Sequence, residues 1–427
     1  MYALYSFLLT AAAILGAPYW LFKGLREKKY LQSFRQRLGS KGPALPLGTR
    51  PVWVHAVSVG EVLAARPVVA AIQQVRPELP VVLSTVTPAG QALALKEFPA
   101  AAAVFYFPFD WHFCVARFLS SVNPRAVLLV EKELWPNFLD ACFRRGVPVF
   151  LVNGRISEQS FNRYRRIKSF TAGMLRQLRV IGAQTHEDRK RFLQLGAGED
   201  QVRVTGNVKF DFQCHSVEEK SDVLEKIRSS LAVSADTPVV VVGSSMKGEE
   251  SLFIEAFRRV REAIPDVKLI LAPRHPERFD EVAQLLKRSS ISFLRRTGLC
   301  DNSPGGRARV LLLDSIGELR AVYSLATVAV IGGSFLPHGG HNLLEPAAFG
   351  KAIVFGPEMS NFTEMARLFV RGQAARQTNA ESLPRTLLEL LRNPEARNLL
   401  GHRALSTLRQ NQGATQSSVD CILASLP

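Results

Sequence analysis

No CxxC pair occurs among the five cysteines, Cys114, Cys142, Cys214, Cys300 and Cys421, which are scattered and odd in number. That argues against a disulfide framework and a zinc clip, and it fits a reducing compartment. Neither GxGxxG nor GxxxxGK[ST] is present, so the dinucleotide and P-loop fingerprints are missing. There is no short-period repeat and no low-complexity tract. Nothing resembles an aromatic-basic RNA motif or a DNA-binding module, so no nucleic-acid partner is expected. Charge is absent from residues 2–22, "YALYSFLLTAAAILGAPYWLF".

Acidic residues are also in short supply: 37 Asp and Glu face 54 Lys and Arg, a formal charge of +17. A field of that sign attracts polyanions, whether nucleic acid, anionic lipid or a phosphorylated substrate. Hydrophobic residues make up 47% of 427, enough for two or three domain cores. As a helix, the uncharged stretch would be about 31 Å long, close to a bilayer's hydrocarbon thickness. It lacks the leading positive charge of a cleaved signal peptide. Lys23, Arg26, Lys28, Lys29, Arg35, Arg37 and Lys41 follow it, against Glu27 alone. The positive-inside rule then keeps the remainder cytoplasmic. The segment reads as a single N-terminal membrane anchor (1–22) followed by a basic juxtamembrane stretch (23–50); a helix lying in the interface and a buried core helix are the alternatives. Residues 155–191 carry ten Lys and Arg against three Asp and Glu, which suits an anionic membrane surface or a phosphorylated acceptor.

From residue 51 onward, short Val- and Leu-rich runs alternate with longer helical patterns. "PVWVHAVS", "LPVVLSTVT", "RAVLLVE" and "VPVFLVN" form one series. "TPVVVVGSS", "VKLILAPR", "ARVLLLDS", "ATVAVIGGS" and "KAIVFGP" form a second. Unbroken apolar runs suit strands buried on both faces, and strand-helix alternation predicts parallel sheets. The reading is α/β, with two Rossmann-like domains facing across a cleft, at 51–205 and 237–427, joined by a linker at 206–236. Ligands bind beyond the carboxyl ends of such strands. Gly60-Glu61, Glu131 and Glu133, Asn153–Arg155, Ser244, Ser245, Arg274 and His275 all stand there.

The stretch "GGSFLPHGGHNLLEPAAFGK" (332–351) also follows a strand-like run. Its bare backbone, including Gly333, Gly339 and Gly340, can approach a ligand closely, and amides at a strand-to-helix turn attract phosphate. Glu345, one turn into the helix that Asn342 opens, is placed to accept hydrogen bonds from ribose hydroxyls; the alternative is a Gly-rich connection with an acid at a helix start.

Taken in order, "HAVSVGEVLAARP", "STVTPAGQALA", "YFPFD", "EKELWPN", "NGRISEQSFNRY", "TGNVKFD", "LAPRHPERFDEV" and "GGSFLPHGGHNLLEPAAFGKAIVFGP" resemble the Kdo (3-deoxy-D-manno-octulosonic acid) transferases. "SSMKGEE" (244–250) stands where that family has a "THPGEE"-like turn, and Lys132 separates two carboxylates in "EKELWP". The resemblance implies a GT-B fold and an inverting glycosyltransferase of lipopolysaccharide synthesis. It further implies CMP-Kdo as donor, the lipid A precursor lipid IVA as acceptor, and a place on the cytoplasmic face of the inner membrane. A nucleotide-sugar epimerase or hydrolase of the same fold is the alternative, which would need no lipid acceptor and so leaves an anchor unexplained.

Inverting transfer needs a base for the acceptor hydroxyl and cationic or N–H groups for the departing phosphate. On spacing alone Glu61 is either that base or an acid at a helix start; the resemblance favours the base. Glu131, Glu133 and Arg155 are the candidate acceptor-binding residues, with a helix cap or ion pair as the other reading of the two acids. Lys209, Ser244, Ser245, Arg274, His275, Gly333, Gly339, Gly340, Asn342 and Glu345 are the candidate donor-binding residues. His338 and His341 have no third ligand at metal spacing and no DxD-like pair stands near, so neither a metal nor another cofactor is expected.

Overall fold

The unbroken Val and Leu runs form parallel strands, and every residue of β1 (Val52–His55), β2 (Val81–Thr85), β4 (Ala126–Val130) and β5 (Val149–Gly154) is buried. With β3 (Ala103–Tyr106), β6 (Val180–Ala183) and β7 (Val202–Val204) they make a seven-stranded sheet in the order β3-β2-β1-β4-β5-β6-β7. A second seven-stranded sheet is built from β8 (Val239–Ser245), β9 (Lys268–Pro273), β10 (Phe293–Arg295), β11 (Val310–Leu312), β12 (Val328–Ile331), β13 (Ala352–Phe355) and β14 (Arg376–Gln377). Its order is β10-β11-β9-β8-β12-β13-β14. All pairings in both are parallel. The strand order reverses between β1 and β4 in one sheet and between β8 and β12 in the other. Those two crevices are where an α/β sheet takes its ligand.

This computed structural model describes residues 1–26, 34–39, 42–46, 48–211, 221–299 and 308–426. It divides into two α/β units, Met1–Asp211 with Asn411–Pro427, and Phe212–Gln410.

In the first unit Trp53 is fully buried among Phe105, Phe107, Phe118 and Phe138, with ring centroids 5.1–6.5 Å away. Its Nε1 donates to Ser84 Oγ at 2.7 Å, so the one polar atom of the indole is satisfied. Each such aromatic pair adds about 0.5–1.5 kcal/mol beyond the area it buries. The second unit has a more aliphatic core, with Val240, Val242, Leu269, Leu271, Val310, Leu312, Val328 and Val330 under Phe253 and Phe257.

The N-terminal stretch forms helix α1 (Tyr2–Arg26). Contrary to the expectation of a transmembrane anchor, no helix among the described residues is long and apolar enough to cross a membrane. Tyr2, Tyr5, Ser6 and Thr10 interrupt its apolar sequence, and their side chains hydrogen-bond to Gln177, Asp110, Asn137 and Trp111 of the first unit. Leu4, Phe7, Leu8, Ile14 and Leu15 stay exposed on α1, as does Met1 just before it. Of the basic residues that follow, Arg37 folds into the unit, donating to Phe107 O at 2.9 Å and lying over the Phe109 ring. Lys28, Lys29 and Lys41 lie outside the described residues.

The domain limits differ from expectation at two places. Residues 206–211 belong to the first unit, and Ser221–Leu231 is a helix of the second; 212–220 lie outside the described residues. The last helix (Ala414–Leu423) leaves the expected C-terminal domain and joins the first unit. There Ala414, Val419 and Ile422 enter the core beside α2 (Val59–Val75). Asp211 clamps the start of that helix by accepting from the amides of Gly413, at 2.6 Å, and Thr415. Asp211→Ala is therefore expected to cost about 0.5–2 kcal/mol, the usual worth of a cap, read as a lower urea midpoint; an unchanged midpoint would show that the helix docks by its apolar face alone.

Candidate active site

β1 turns into α2 within four residues, and Glu61 sits in the first turn of that helix. Its Oε2 accepts from the amide of Val57 at 2.6 Å, and its Oε1 from Ser58 Oγ at 3.1 Å. The carboxylate thus serves the helix start, as the simpler reading of the sequence had it. It is also 6% exposed. Burial pushes its pKa up to about 7; the Val57 amide and Ser58 hydroxyl hold it down, while Glu133 and Glu131 push it further up. A carboxyl poised there takes and releases a proton at neutral pH, which is what a general base requires.

Glu131 leaves β4 with φ 67°, a left-handed conformation that costs a non-glycine residue of order 1–3 kcal/mol. Its amide still pairs with Val152 O at 2.8 Å. Asn153, at the end of the neighbouring strand, is also left-handed, at φ 57°. Asn153 is fully buried, and its Oδ1 accepts from the amide of Val208 at 3.1 Å. This holds the turn from which Lys209 reaches Glu131 Oε1 at 2.5 Å. Lys209, expected among the donor ligands, is thus paired with a carboxylate of its own unit. Glu133 is half-buried with its pKa raised by burial, against the lowering effect of Lys132. Arg155 is half-buried just beyond β5.

In the second unit the Gly-rich turn after β12 is organised by Glu249, which opens α6 (Glu249–Ala263); helices α3 (Pro136–Arg144), α4 (Glu158–Arg166) and α5 (Lys168–Leu175) precede it in the first unit. Glu249 is fully buried and accepts from the amides of Met246 at 2.9 Å, Gly333 at 2.6 Å and Phe335 at 2.9 Å. The amide of Gly333 is therefore engaged by protein. Gly333 itself has φ +67°, and a Cβ there would come within 2.9 Å of the His341 ring. Gly340 N pairs with Gly333 O at 2.6 Å, folding the segment on itself; Gly339 and Gly340 both have positive φ.

Ser245 is buried with its hydroxyl on Glu250, at 3.0 Å, and Arg278 forks onto the same carboxylate at 2.6 and 3.1 Å. Ser244, left-handed at φ 58°, is half-buried. Arg274 and His275 are exposed past β9. Asn342 Oδ1 accepts from Leu344 N at 3.0 Å, starting the short helix α7 (Leu344–Ala347) that carries Glu345. Burial raises the pKa of Glu345 while Arg320, Arg274 and an Asn342 hydrogen bond lower it. His341 is pushed down to about 4 by burial and then by Arg274, His275 and His338, so it is neutral at pH 7. Arg274, Arg320, His338, His341 and Glu345 thus share one electrostatic neighbourhood: a cationic site with a carboxylate in it. Among the described residues no group of three or more His, Cys, Asp or Glu is arranged to hold a metal.

Sequence reasoning missed Glu249, whose only signal was a tandem acid after Gly248, which reads as an ordinary helix start; it placed Asn153 beyond a strand end, but the left-handed turn there shows only in the fold.

Residues 32–212 match the family model described as 3-deoxy-D-manno-octulosonic-acid transferase (kdotransferase), and residues 303–406 match glycosyl transferases group 1. A 3-deoxy-D-manno-octulosonic acid transferase of Haemophilus influenzae is 34% identical over 98% of both chains. That of Bordetella pertussis is 36% identical over 90% of this chain and 89% of its own. Among solved structures, the UDP-GlcNAc 2-epimerase of Neisseria meningitidis superposes with a TM-score of 0.60, covering 88% of this chain and all of that one; at 12% identity it shares the fold alone.

The raised Glu61 carboxyl has a stability signature. Its folded pKa of about 7 exceeds the ordinary 4.5, so its contribution is full below pH 4.5 and is lost as pH rises to about 7. Carboxyl NMR should show Glu61 titrating near pH 7, and Glu133→Gln should move that titration down. Titration near 4.5 would show the site to be wetter than its geometry.

Proposed function

Because the chain belongs to the 3-deoxy-D-manno-octulosonic-acid transferase family, and is a glycosyltransferase that moves Kdo in lipopolysaccharide synthesis, we propose that it takes Kdo from CMP-Kdo and attaches it to lipid IVA with inversion at the anomeric carbon. The observation that carries this reading is Glu61, buried, raised to about 7 and flanked by Glu131 and Glu133. As the acceptor hydroxyl oxygen bonds to the anomeric carbon, its proton passes to Glu61. The bond from that carbon to the CMP phosphate breaks, and CMP leaves with the electron pair. Glu131, held by Lys209, and Glu133 orient the acceptor sugar, with Arg155 toward its phosphate. In the second unit Arg274 and His275 face the phosphate and Glu345 takes the ribose hydroxyls. Since Glu249 occupies the Gly333 amide, the contribution of the Gly-rich turn at that point is its shape rather than a free N–H.

We place the protein at the cytoplasmic face of the inner membrane, with α1 lying along the surface. The support is its exposed stripe, Leu4, Phe7, Leu8, Ile14 and Leu15, opposite the face that docks on the first unit. α1 touches Phe170 of α5, and the neighbouring α4 ends in Arg163, Arg165 and Arg166, suited to anionic lipid.

Purified protein given CMP-Kdo and lipid IVA is expected to release CMP and yield a heavier lipid. CMP release without lipid product would favour a hydrolase. Glu61→Gln should lower transfer about 10²–10⁴-fold while CMP-Kdo still binds; near-normal turnover would remove the base assignment. Glu345→Ala should weaken CMP binding by calorimetry about 10- to 150-fold, the worth of a charge-assisted hydrogen bond. Leu4→Glu with Leu15→Glu should reduce flotation with anionic vesicles at least about tenfold, since each buried leucine is worth about 1.5–3 kcal/mol; unchanged flotation would place membrane binding elsewhere.

A further inference from the structure

The docked face of α1 holds more than an anchor requires. Over its first three turns, Tyr2, Tyr5, Ser6 and Thr10 each make a side-chain hydrogen bond to residues more than a hundred positions away. Two of these bonds converge on one buried node. Asp110, 3% exposed, accepts at Oδ2 from Tyr5 OH at 3.0 Å and from the amide of Asn137 at 3.0 Å, and at Oδ1 from the amide of Phe138 at 2.8 Å. Those amides belong to the first turn of α3, where no intrahelical partner exists. Asn137, fully buried, returns Nδ2 to Asp110 O at 2.5 Å, and the Ser6 hydroxyl lies 2.9 Å from that Nδ2 and 3.2 Å from Oδ1. Burial pushes the pKa of Asp110 up to about 7, and its three donors, Tyr5 among them, hold it down from going higher.

This node fixes where α3 begins, and α3 begins at Pro136, directly after Glu131–Trp135. That five-residue turn is pinned at its other end by the Glu131 amide on Val152 O. A peptide so short between two fixed ends has little freedom, so a shift of the α3 N-terminus must be taken up by Glu133, Leu134 or Trp135.

We propose that α1 is a positioning element of the acceptor site: through Tyr5 and Ser6 on the Asp110–Asn137 node it sets the turn that carries Glu131 and Glu133. This rests on the assignment of those carboxylates to the acceptor. The same helix that meets the lipid surface then also completes the site that takes the lipid's sugar, so detachment of α1 weakens acceptor binding even where no membrane has to be found. Tyr5 and Ser6 touch neither substrate; they act through the node.

The test uses full-length protein in detergent micelles with detergent-dispersed lipid IVA, where recruitment to a bilayer plays no part. Tyr5→Phe with Ser6→Ala is expected to raise the KM for lipid IVA about tenfold, the loss of one to two hydrogen bonds, and to leave the KM for CMP-Kdo unchanged. Ser6→Ala alone should give a smaller rise and serves if the double variant folds poorly, and Ser6→Thr, which keeps the hydroxyl, should restore the wild-type value. An unchanged acceptor KM in micelles, with only vesicle flotation reduced, would make α1 a tether and overturn the proposal. So would a proportional rise in both KM values alongside a lowered melting temperature, which marks general loosening. A wild-type protein that fails to extend lipid IVA under these conditions would overturn the acceptor reading itself, and this proposal with it.

Discussion

A strand buried on both faces that turns into a helix leaves amides with no partner, and a buried amide must find one. In this chain carboxylates answer that need repeatedly. Glu249 takes three amides around the Gly-rich turn. Asp110 takes two at the start of α3, and Asp211 takes two at the start of the last helix. Asp188 takes the amide of Ile156 after β5. The loops at the carboxyl ends of the strands, where ligands bind, are held by these acids.

Glu61 belongs to the same group. It has one amide and one hydroxyl, and two further carboxylates stand near it. The contacts that satisfy the helix start also hold the Glu61 side chain in place. Lys209 acts similarly on Glu131, giving a strained strand end a fixed partner.

The second unit shows the converse. Its Gly-rich turn looks in the sequence like a row of free amides awaiting a phosphate, yet Glu249 already engages two of them. What remains around His341 and Glu345 is side-chain chemistry, with Arg274 and Arg320 providing the positive charge. The glycines matter there for room: the His341 ring lies where a Cβ on Gly333 would go.

Periodicity and composition by themselves determined the two parallel sheets, because a strand buried on both faces must be written in unbroken apolar residues, and they placed Glu61, Glu131 and Glu345 beyond strand ends. The same strings, read with the family motifs, pointed to Kdo transfer. Only the tertiary structure decided which amides those acids and glycines would meet, since the partners lie as far apart in the chain as Glu249 and Gly333. It also decided that the last helix returns to the first unit, because the Asp211 carboxylate and the apolar face of α2 are close in space and remote in sequence. For α1, hydropathy described the uncharged run but could not show that Tyr5 and Ser6 have buried partners at Asp110 and Asn137; those long-range hydrogen bonds are what make a segment read as a membrane span into a part of the fold.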